Sequence, residues 1–166
     1  NFVPEVVETH NYQVAYRDGK RFIARLATFD AKPRDPLTVN AEKSYWIVGG
    51  AGDLGLFIAK SLVERGARHI ILSGRRAQDT LPDFVLSAIE DITKEATVHY
   101  MQADVCSKED VKRVIQSSDV PLGGIIHGAG IGRRCTLEQM TGDEFWGVAA
   151  PKILGAHTII ESVEEE

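Results

Sequence analysis

The stretch Val48-Gly49-Gly50-Ala51-Gly52-Asp53-Leu54-Gly55 joins an apolar run, Tyr45-Trp46-Ile47-Val48, to a helix-like pattern over residues 56–66. Gly50, Gly52 and Gly55 form G-x-G-x-x-G at a strand-to-helix turn. That context, more than the glycines themselves, marks a dinucleotide-binding loop. The first glycine lets the chain turn sharply, the second lets backbone approach a pyrophosphate, and the third lets helix and strand pack closely. Gly49, Gly50, Gly52, Asp53, Leu54 and Gly55 are therefore candidate cofactor-binding residues. The helix N-terminus adds unpaired N–H groups and a partial positive charge. Leu54, Ile58 and Leu62 share one helical face while Lys60, Glu64 and Arg65 fall elsewhere, as a helix covering a sheet requires.

Strand and helix patterns then alternate. Residues 69–73 read as a second strand, and a helix follows Pro82 with Phe84, Ile89 and Ile92 directed inward. A third strand spans 97–102. Ser107 is a helix N-cap, with Glu109 and Asp110 in the first turn and Val111, Val114 and Ile115 as the apolar face. Residues 124–127 make a fourth strand. A last helix near 151–163 places Ile153, Ala156, Ile160 and Val163 on one face. This alternation argues for an α/β chain with a Rossmann-like, doubly wound parallel sheet. Residues 1–40 differ. Segments 12–16 and 21–26 flank Arg17-Asp18-Gly19-Lys20, a β-hairpin signal, and residues 29–40, with Pro33 and Pro36, read as a linker. The expected division is 1–40 and 41–166. The closing Glu164-Glu165-Glu166 reads as a solvated helix end.

Bulk properties exclude several classes. The 166 residues suffice for one domain with a sizeable core, and 43% hydrophobic with 26% charged residues is ordinary globular composition. A net charge of −5 offers no nucleic-acid surface. No apolar run approaches the roughly 20 residues of a membrane span. The N-terminus lacks a basic region followed by an apolar one, so no signal peptide is expected. Cys106 and Cys135 lack metal-like spacing and fit a reduced, cytoplasmic protein. The 5 histidines are scattered, and no metal site is read.

The end of the second strand distinguishes the two nicotinamide cofactors. An acidic residue there binds the ribose hydroxyls and favours NAD. Here the position holds Gly74-Arg75-Arg76. Guanidinium groups suit a 2′-phosphate through charge-assisted contacts, so NADPH is expected; a solvated arginine pair is the alternative.

The chain resembles the ketoreductase domain of modular or iterative polyketide synthases and the related domain of animal fatty acid synthase. The resemblance is carried by residues 44–56, 62–69 and Arg75-Arg76, and by Gln102-Ala103-Asp104-Val105. It continues through Pro121-Leu122-Gly123-Gly124-Ile125-Ile126-His127-Gly128-Ala129-Gly130, residues 137–141 and Ala150-Pro151-Lys152. Tyr16-Arg17-Asp18-Gly19-Lys20-Arg21 is similar to the hairpin that ends the family's structural subdomain. The resemblance implies an NADPH-dependent reductase acting on a β-ketoacyl thioester that an acyl carrier protein presents on phosphopantetheine. It implies, as further partners, the other domains of a multifunctional synthase. It also implies roles by position: Asp104 and Val105 line the adenine pocket, and Gly128, Ala129 and Gly130 lie near the nicotinamide ribose. Lys152 matches the family's active-site lysine, which would favour a tyrosine phenolate electrostatically; residues alone would make it a solvent-facing lysine at a helix start.

The departures are equally informative. The family's catalytic serine lies on a strand after the last helix, with its tyrosine and asparagine beyond, so the sheet is expected to be incomplete at the C-terminus and the isolated chain inactive. Tyr16 to Lys20 forms a Y-x-x-x-K pattern, but upstream of the glycine loop, and reads as coincidence. Gly74 stands where many relatives carry serine, Val48 where many carry threonine. Gly132-Arg133-Arg134 stands where some carry Leu-Asp-Asp, which leaves the product configuration open. Two other readings stand beside this one: a fragment of an extended short-chain dehydrogenase or epimerase, suggested by Gly49-x-x-Gly52-x-x-Gly55, and a non-catalytic structural or nucleotide-binding module of a megasynthase.

Overall fold

The computed structural model describes residues 14–28, 38–132 and 135–165. The chain divides into two units, Asn1–Pro36 and Leu37–Glu166. In the first, β1 (Val14–Arg17) pairs antiparallel with β2 (Lys20–Ile23). Asp18 (φ 51°) and Gly19 (φ 72°) both lie in the left-handed region, as a two-residue hairpin turn of the right twist requires. β2 ends at Ile23, before its sequence pattern does, and Leu26 is fully exposed. Tyr12 and most of the stretch read as a linker, residues 29–37, lie outside the described residues.

The second unit is built on a parallel sheet of order β5-β4-β3-β6. Its strands are β3 (Ser44–Val48), β4 (His69–Gly74), β5 (Thr97–Gln102) and β6 (Leu122–His127). The α-helices are α1 (Asp53–Glu64), α2 (Asp83–Thr93), α3 (Lys108–Ile115) and α4 (Gly142–Glu164). β3 is buried at every position, because alternate side chains enter two cores. Tyr45 and Ile47 join Ile70, Leu72, Ala59, Leu62, Val85 and Ile89 under α1 and α2. Trp46 and Val48 join Ile71, Val105, Val111, Val114 and Ile159 under α3 and α4. The one polar group of the Trp46 ring is satisfied within the core, where Nε1–H donates to Ser73 Oγ at 2.8 Å.

Three helical faces differ from their sequence patterns. Leu54 is 67% exposed; α1 covers the sheet through Gly55, Ala59, Leu62 and Val63 instead. Phe84 is 65% exposed and its neighbour Val85 takes the inward position with Ile89 and Ile92. α4 starts at Gly142, well before Pro151, with Thr141 and Glu144 forming a reciprocal capping box. Its buried residues are Gly155, Ile159 and Ser162, whereas Ile153 (57%), Ile160 (58%) and Val163 are exposed. The stripe is real but lies on the face away from this sheet.

The acidic end of α4 is also more than a solvated terminus. Glu165 accepts from Lys108 Nζ at 2.6 Å and Lys112 Nζ at 2.8 Å, tying α4 to α3. The two ammonium groups pull its carboxyl from the usual 4.5 down to about 2. A lowered folded-state pKa stabilises above the unfolded value and loses that contribution as pH falls from 4.5 through about 2. Glu165→Gln is therefore expected to lower the melting temperature slightly at pH 7, by about 1–2 °C for so exposed a pair. The gap from the parent chain should shrink on acidification below pH 4 and in about 1 M salt. A gap independent of both would refute the ion pair.

Candidate functional site

The chain moves outward from β3 through β4 to β5, then returns across the sheet to β6. Such a reversal leaves a crevice beyond the carboxyl ends of the strands. A cavity of about 320 Å³ lies there. It is lined by Val48, Gly49, Ala51 and Gly52 after β3, Gly74, Arg75 and Arg76 at β4, and Ala103, Asp104 and Val105 after β5. Ala129, Gly130 and Ile131 after β6, Tyr100 on β5 and Pro151 on α4 complete it. Four loops separated in sequence thus meet at one place because parallel strands end on one side.

The glycines divide their work differently from the simple pattern. Gly49, not Gly50, has the left-handed backbone (φ 76°), and a Cβ there would stand 3.0 Å from the Ala129 nitrogen. Gly50 fits under Leu72, and Gly55 fits against Gly50, where a Cβ would lie 2.6 Å from the Gly50 Cα. Gly52 alone has open space, its nearest neighbour for a Cβ being Gly49 O at 3.4 Å, and it opens onto the cavity. The first N–H groups of α1 follow it and have no intrahelical acceptor. Gly50, Asp53, Leu54, Gly55 and Gly128 do not line the cavity; Gly50 and Gly55 shape the turn, and Asp53 and Leu54 are exposed on the first turn of α1. Gly128 N–H donates to Val48 O at 2.9 Å, which prolongs the β3–β6 pairing toward Gly49.

Arg75 and Arg76 are exposed at the cavity rim, and neither has an ion-pair partner among the described residues. Asp104, by contrast, is held. Its N–H donates to Asp110 Oδ2 at 2.8 Å and its Oδ1 accepts from Cys106 N–H at 2.9 Å. The Asp104 N–H and then Arg113, which donates to Asp110 Oδ1 at 2.6 Å, keep the Asp110 carboxyl below its usual range. Burial, with Asp104 beside it, pushes the Cys106 thiol up, away from reactive thiolate.

α4 closes the other side. His127 Nε2 lies 2.8 Å from Pro151 O; since a carbonyl only accepts, Nε2 carries the proton. Gly155 is pressed on Val105, where a Cβ would meet Cγ1 at 2.7 Å. Lys152 is not part of the lining, but its Nζ lies only 2.8 Å from where a Cβ on Gly130 would stand. Tyr100, Ile131 and Pro151 were not legible as lining residues. Tyr100 sits inside a strand and Pro151 inside a helix, where sequence suggests packing, and only the spatial order of strands brings them to the cavity. Among the described residues no cluster of His, Cys, Asp and Glu could hold a metal ion, and no helix is long and apolar enough to cross a membrane.

Residues 43–166 match the KR domain family. The chain belongs to that family. It is 33% identical over 134 residues to the highly reducing polyketide synthase pspA of Penicillium soppii, covering 81% of this chain and 5% of that protein. It is 32% identical over 154 residues to a 6-methylsalicylic acid synthase of Arthrobotrys oligospora, covering 81% of this chain and 9% of the other. Among solved structures, a ketoreductase domain from the bacillaene assembly line superposes with a TM-score of 0.75 at 31% identity, over 92% of this chain and 36% of that one. The chain therefore spans a small part of its curated relatives and about a third of a solved ketoreductase. Its fold is that of polyketide-synthase ketoreductase domains in the short-chain dehydrogenase/reductase superfamily.

The glycine geometry of this KR chain makes a sharp distinction. Gly55→Ala forces backbone apart and is expected to cost roughly 2–3 kcal/mol in urea unfolding. Gly52→Ala, with room for its methyl, should stay within about 1 kcal/mol of the parent. Equal losses would contradict the packing described.

Proposed function

We propose that this chain is the NADPH-binding part of a ketoreductase domain that reduces a β-ketoacyl thioester, carried on an acyl carrier protein, to the β-hydroxy form. The observation that carries the cofactor choice is the pair of guanidinium groups at the cavity rim beyond β4, which have no ion-pair partner among the described residues. The residues present fit a dinucleotide. Gly52 leaves the loop open where a pyrophosphate needs backbone N–H groups, α1 begins there, and no acidic side chain occupies the rim position after β4 that would oppose a 2′-phosphate. Bound NADPH supplies the hydride. Arg75 and Arg76 would hold its 2′-phosphate, Gly49, Gly50, Gly52, Asp53, Leu54 and Gly55 would form the pyrophosphate turn, and Asp104 with Val105 would border the adenine. Gly128, Ala129 and Gly130 would border the nicotinamide ribose.

Lys152 is the proposed catalytic residue of this segment. Its ammonium lies against Gly130, where it could stabilise a neighbouring phenolate. Of the family's catalytic set, the lysine is the member whose motif, Ala150-Pro151-Lys152, is matched here. The exposed apolar stripe of α4 supports the reading that further elements of the domain pack there. The hairpin is proposed as the end of the structural subdomain, with residues 1–40 and 41–166 as the two parts. The setting proposed is a cytoplasmic megasynthase, consistent with Cys106 and Cys135 being free thiols.

Titration of the purified chain with NADPH and NADH, followed by nicotinamide fluorescence, tests the cofactor reading. NADPH should bind at least tenfold more tightly, and Arg75→Ala or Arg76→Ala should each remove roughly a factor of ten for NADPH alone. Equal affinity for both cofactors, or binding of neither, would overturn it. Supplied with NADPH and a simple ketone, the 166-residue chain should show no turnover; measurable reduction would refute the proposed division of catalytic groups.

A further inference from the structure

Three successive carbonyls at the end of β4 are each held by a different donor from β5 or its end. Gly74 O accepts from the Ala103 N–H at 2.9 Å, the last backbone bond between the strands. Arg75 O accepts from Gln102 Nε2 at 3.0 Å. Arg76 O accepts from the Tyr100 hydroxyl at 2.9 Å. The backbone pairing stops at Gly74, yet side chains continue it over the next two residues. In a segment on the surface, these carbonyls could as well have been left to water. Holding them leaves the arginine side chains free while fixing the backbone from which they extend.

We infer that Tyr100 and Gln102 are positioning residues for recognition of a 2′-phosphate: they clamp the Arg75-Arg76 turn onto β5 so that both guanidinium groups are presented at the cavity before a dinucleotide arrives. The inference rests on the proposed role of Arg75 and Arg76 in binding NADPH. Its physical basis is preorganisation: a flexible turn carrying two long cations must lose backbone freedom on binding, whereas a clamped turn has lost it on folding.

Three further features fit this role. Gly74 makes room for the clamp, since a Cβ there would stand 3.0 Å from the Tyr100 hydroxyl. Burial raises the Tyr100 pKa above its usual value, with Arg76 pulling the other way, so the hydroxyl remains a donor at neutral pH. Gln102 is itself fixed from behind, where Arg113 Nη2 donates to Gln102 O at 2.9 Å and to Asp110 Oδ1 at 2.6 Å. A contact chain thus runs from α3 through Arg113 and Gln102 to Arg75.

The test uses the 166-residue chain and measures the affinities of NADPH and NADH, with adenosine 2′,5′-bisphosphate and adenosine 5′-monophosphate as competitors. Tyr100→Phe and Gln102→Leu remove the donors and keep the volume. Each should lower affinity for the 2′-phosphorylated ligands roughly three- to tenfold, and for NADH and the monophosphate by less than about twofold. In an Arg76→Ala background, Tyr100→Phe should change NADPH affinity little, because its effect passes through Arg76. Thermal unfolding of each variant checks that the fold is kept.

If the parent chain prefers NADPH and the arginine variants abolish that preference while Tyr100→Phe and Gln102→Leu leave it intact, the clamp is refuted and the cofactor reading stands. If the two substitutions weaken all four ligands equally, they act only on the shape of the site and the inference fails. A parent chain without preference, or without binding, overturns both the inference and the reading beneath it.

Discussion

Gly55 packs so closely on Gly50 that no side chain fits between them. The contact follows from the burial of β3 on both faces. A strand with Trp46 and Val48 in one core and Tyr45 and Ile47 in the other must deliver the chain to a helix that covers only one of those cores. The turn has to be short, and α1 must start almost against the strand it leaves. Gly49 reverses the backbone, with its N–H and that of Gly50 both donating to Ser73 O at 2.8 and 3.0 Å. The turn is thereby anchored to β4 as well as β3, and the opening that Gly52 faces inherits its position from the core.

From that anchor the placement of charge follows. Parallel strands send every following loop to one side, so the ends of β3, β4, β5 and β6 border one cavity without any loop reaching far. The acid at that rim, Asp104, is engaged with Cys106 N–H, and Asp110 behind it is engaged with Asp104 N–H and Arg113. Arg75 and Arg76 are the two cations at the rim of this cavity, and neither has an ion-pair partner among the described residues. An anion entering there meets cations that need not first break an ion pair.

How much of this could be read from the chain depended on whether local pattern and spatial neighbour coincide. β5 was legible to the residue because alternating Val98, Tyr100 and Gln102 carry a strand period, and Ser107 announced α3 because a side-chain cap is a local event. The glycine loop and the arginines after β4 were legible as positions. Which helical face is buried was not. In α1 and α2 the large residues Leu54 and Phe84 belong to the apolar set, yet α1 turns Gly55 and Ala59 inward, with Gly55 seated on Gly50, and α2 turns Val85 inward in place of Phe84. In α4 Gly155 is buried rather than Ile153, since Val105 leaves room for nothing larger. Tyr100 was legible as a strand residue and not as a clamp, because its partner lies 24 positions away.

Pro151 shows how an apparent defect can position a charged side chain. A proline inside a helix removes one N–H, leaving the carbonyl one turn earlier, that of Gly147, without its usual donor. The helix is held at this weak point from outside: His127, at the last position of β6, donates to Pro151 O, and one turn later Gly155 locks onto Val105. Lys152 lies between these two tethers. The helix is tethered on both sides of it, to His127 of β6 and to Val105 after β5, although the Lys152 side chain is exposed. The side chain then needs only to cross to Gly130, where the absence of a Cβ leaves room for the ammonium at the loop that follows β6. A long, flexible lysine is thus brought to a defined place by the backbone around it, with no acidic partner in the described ion pairs to draw it elsewhere.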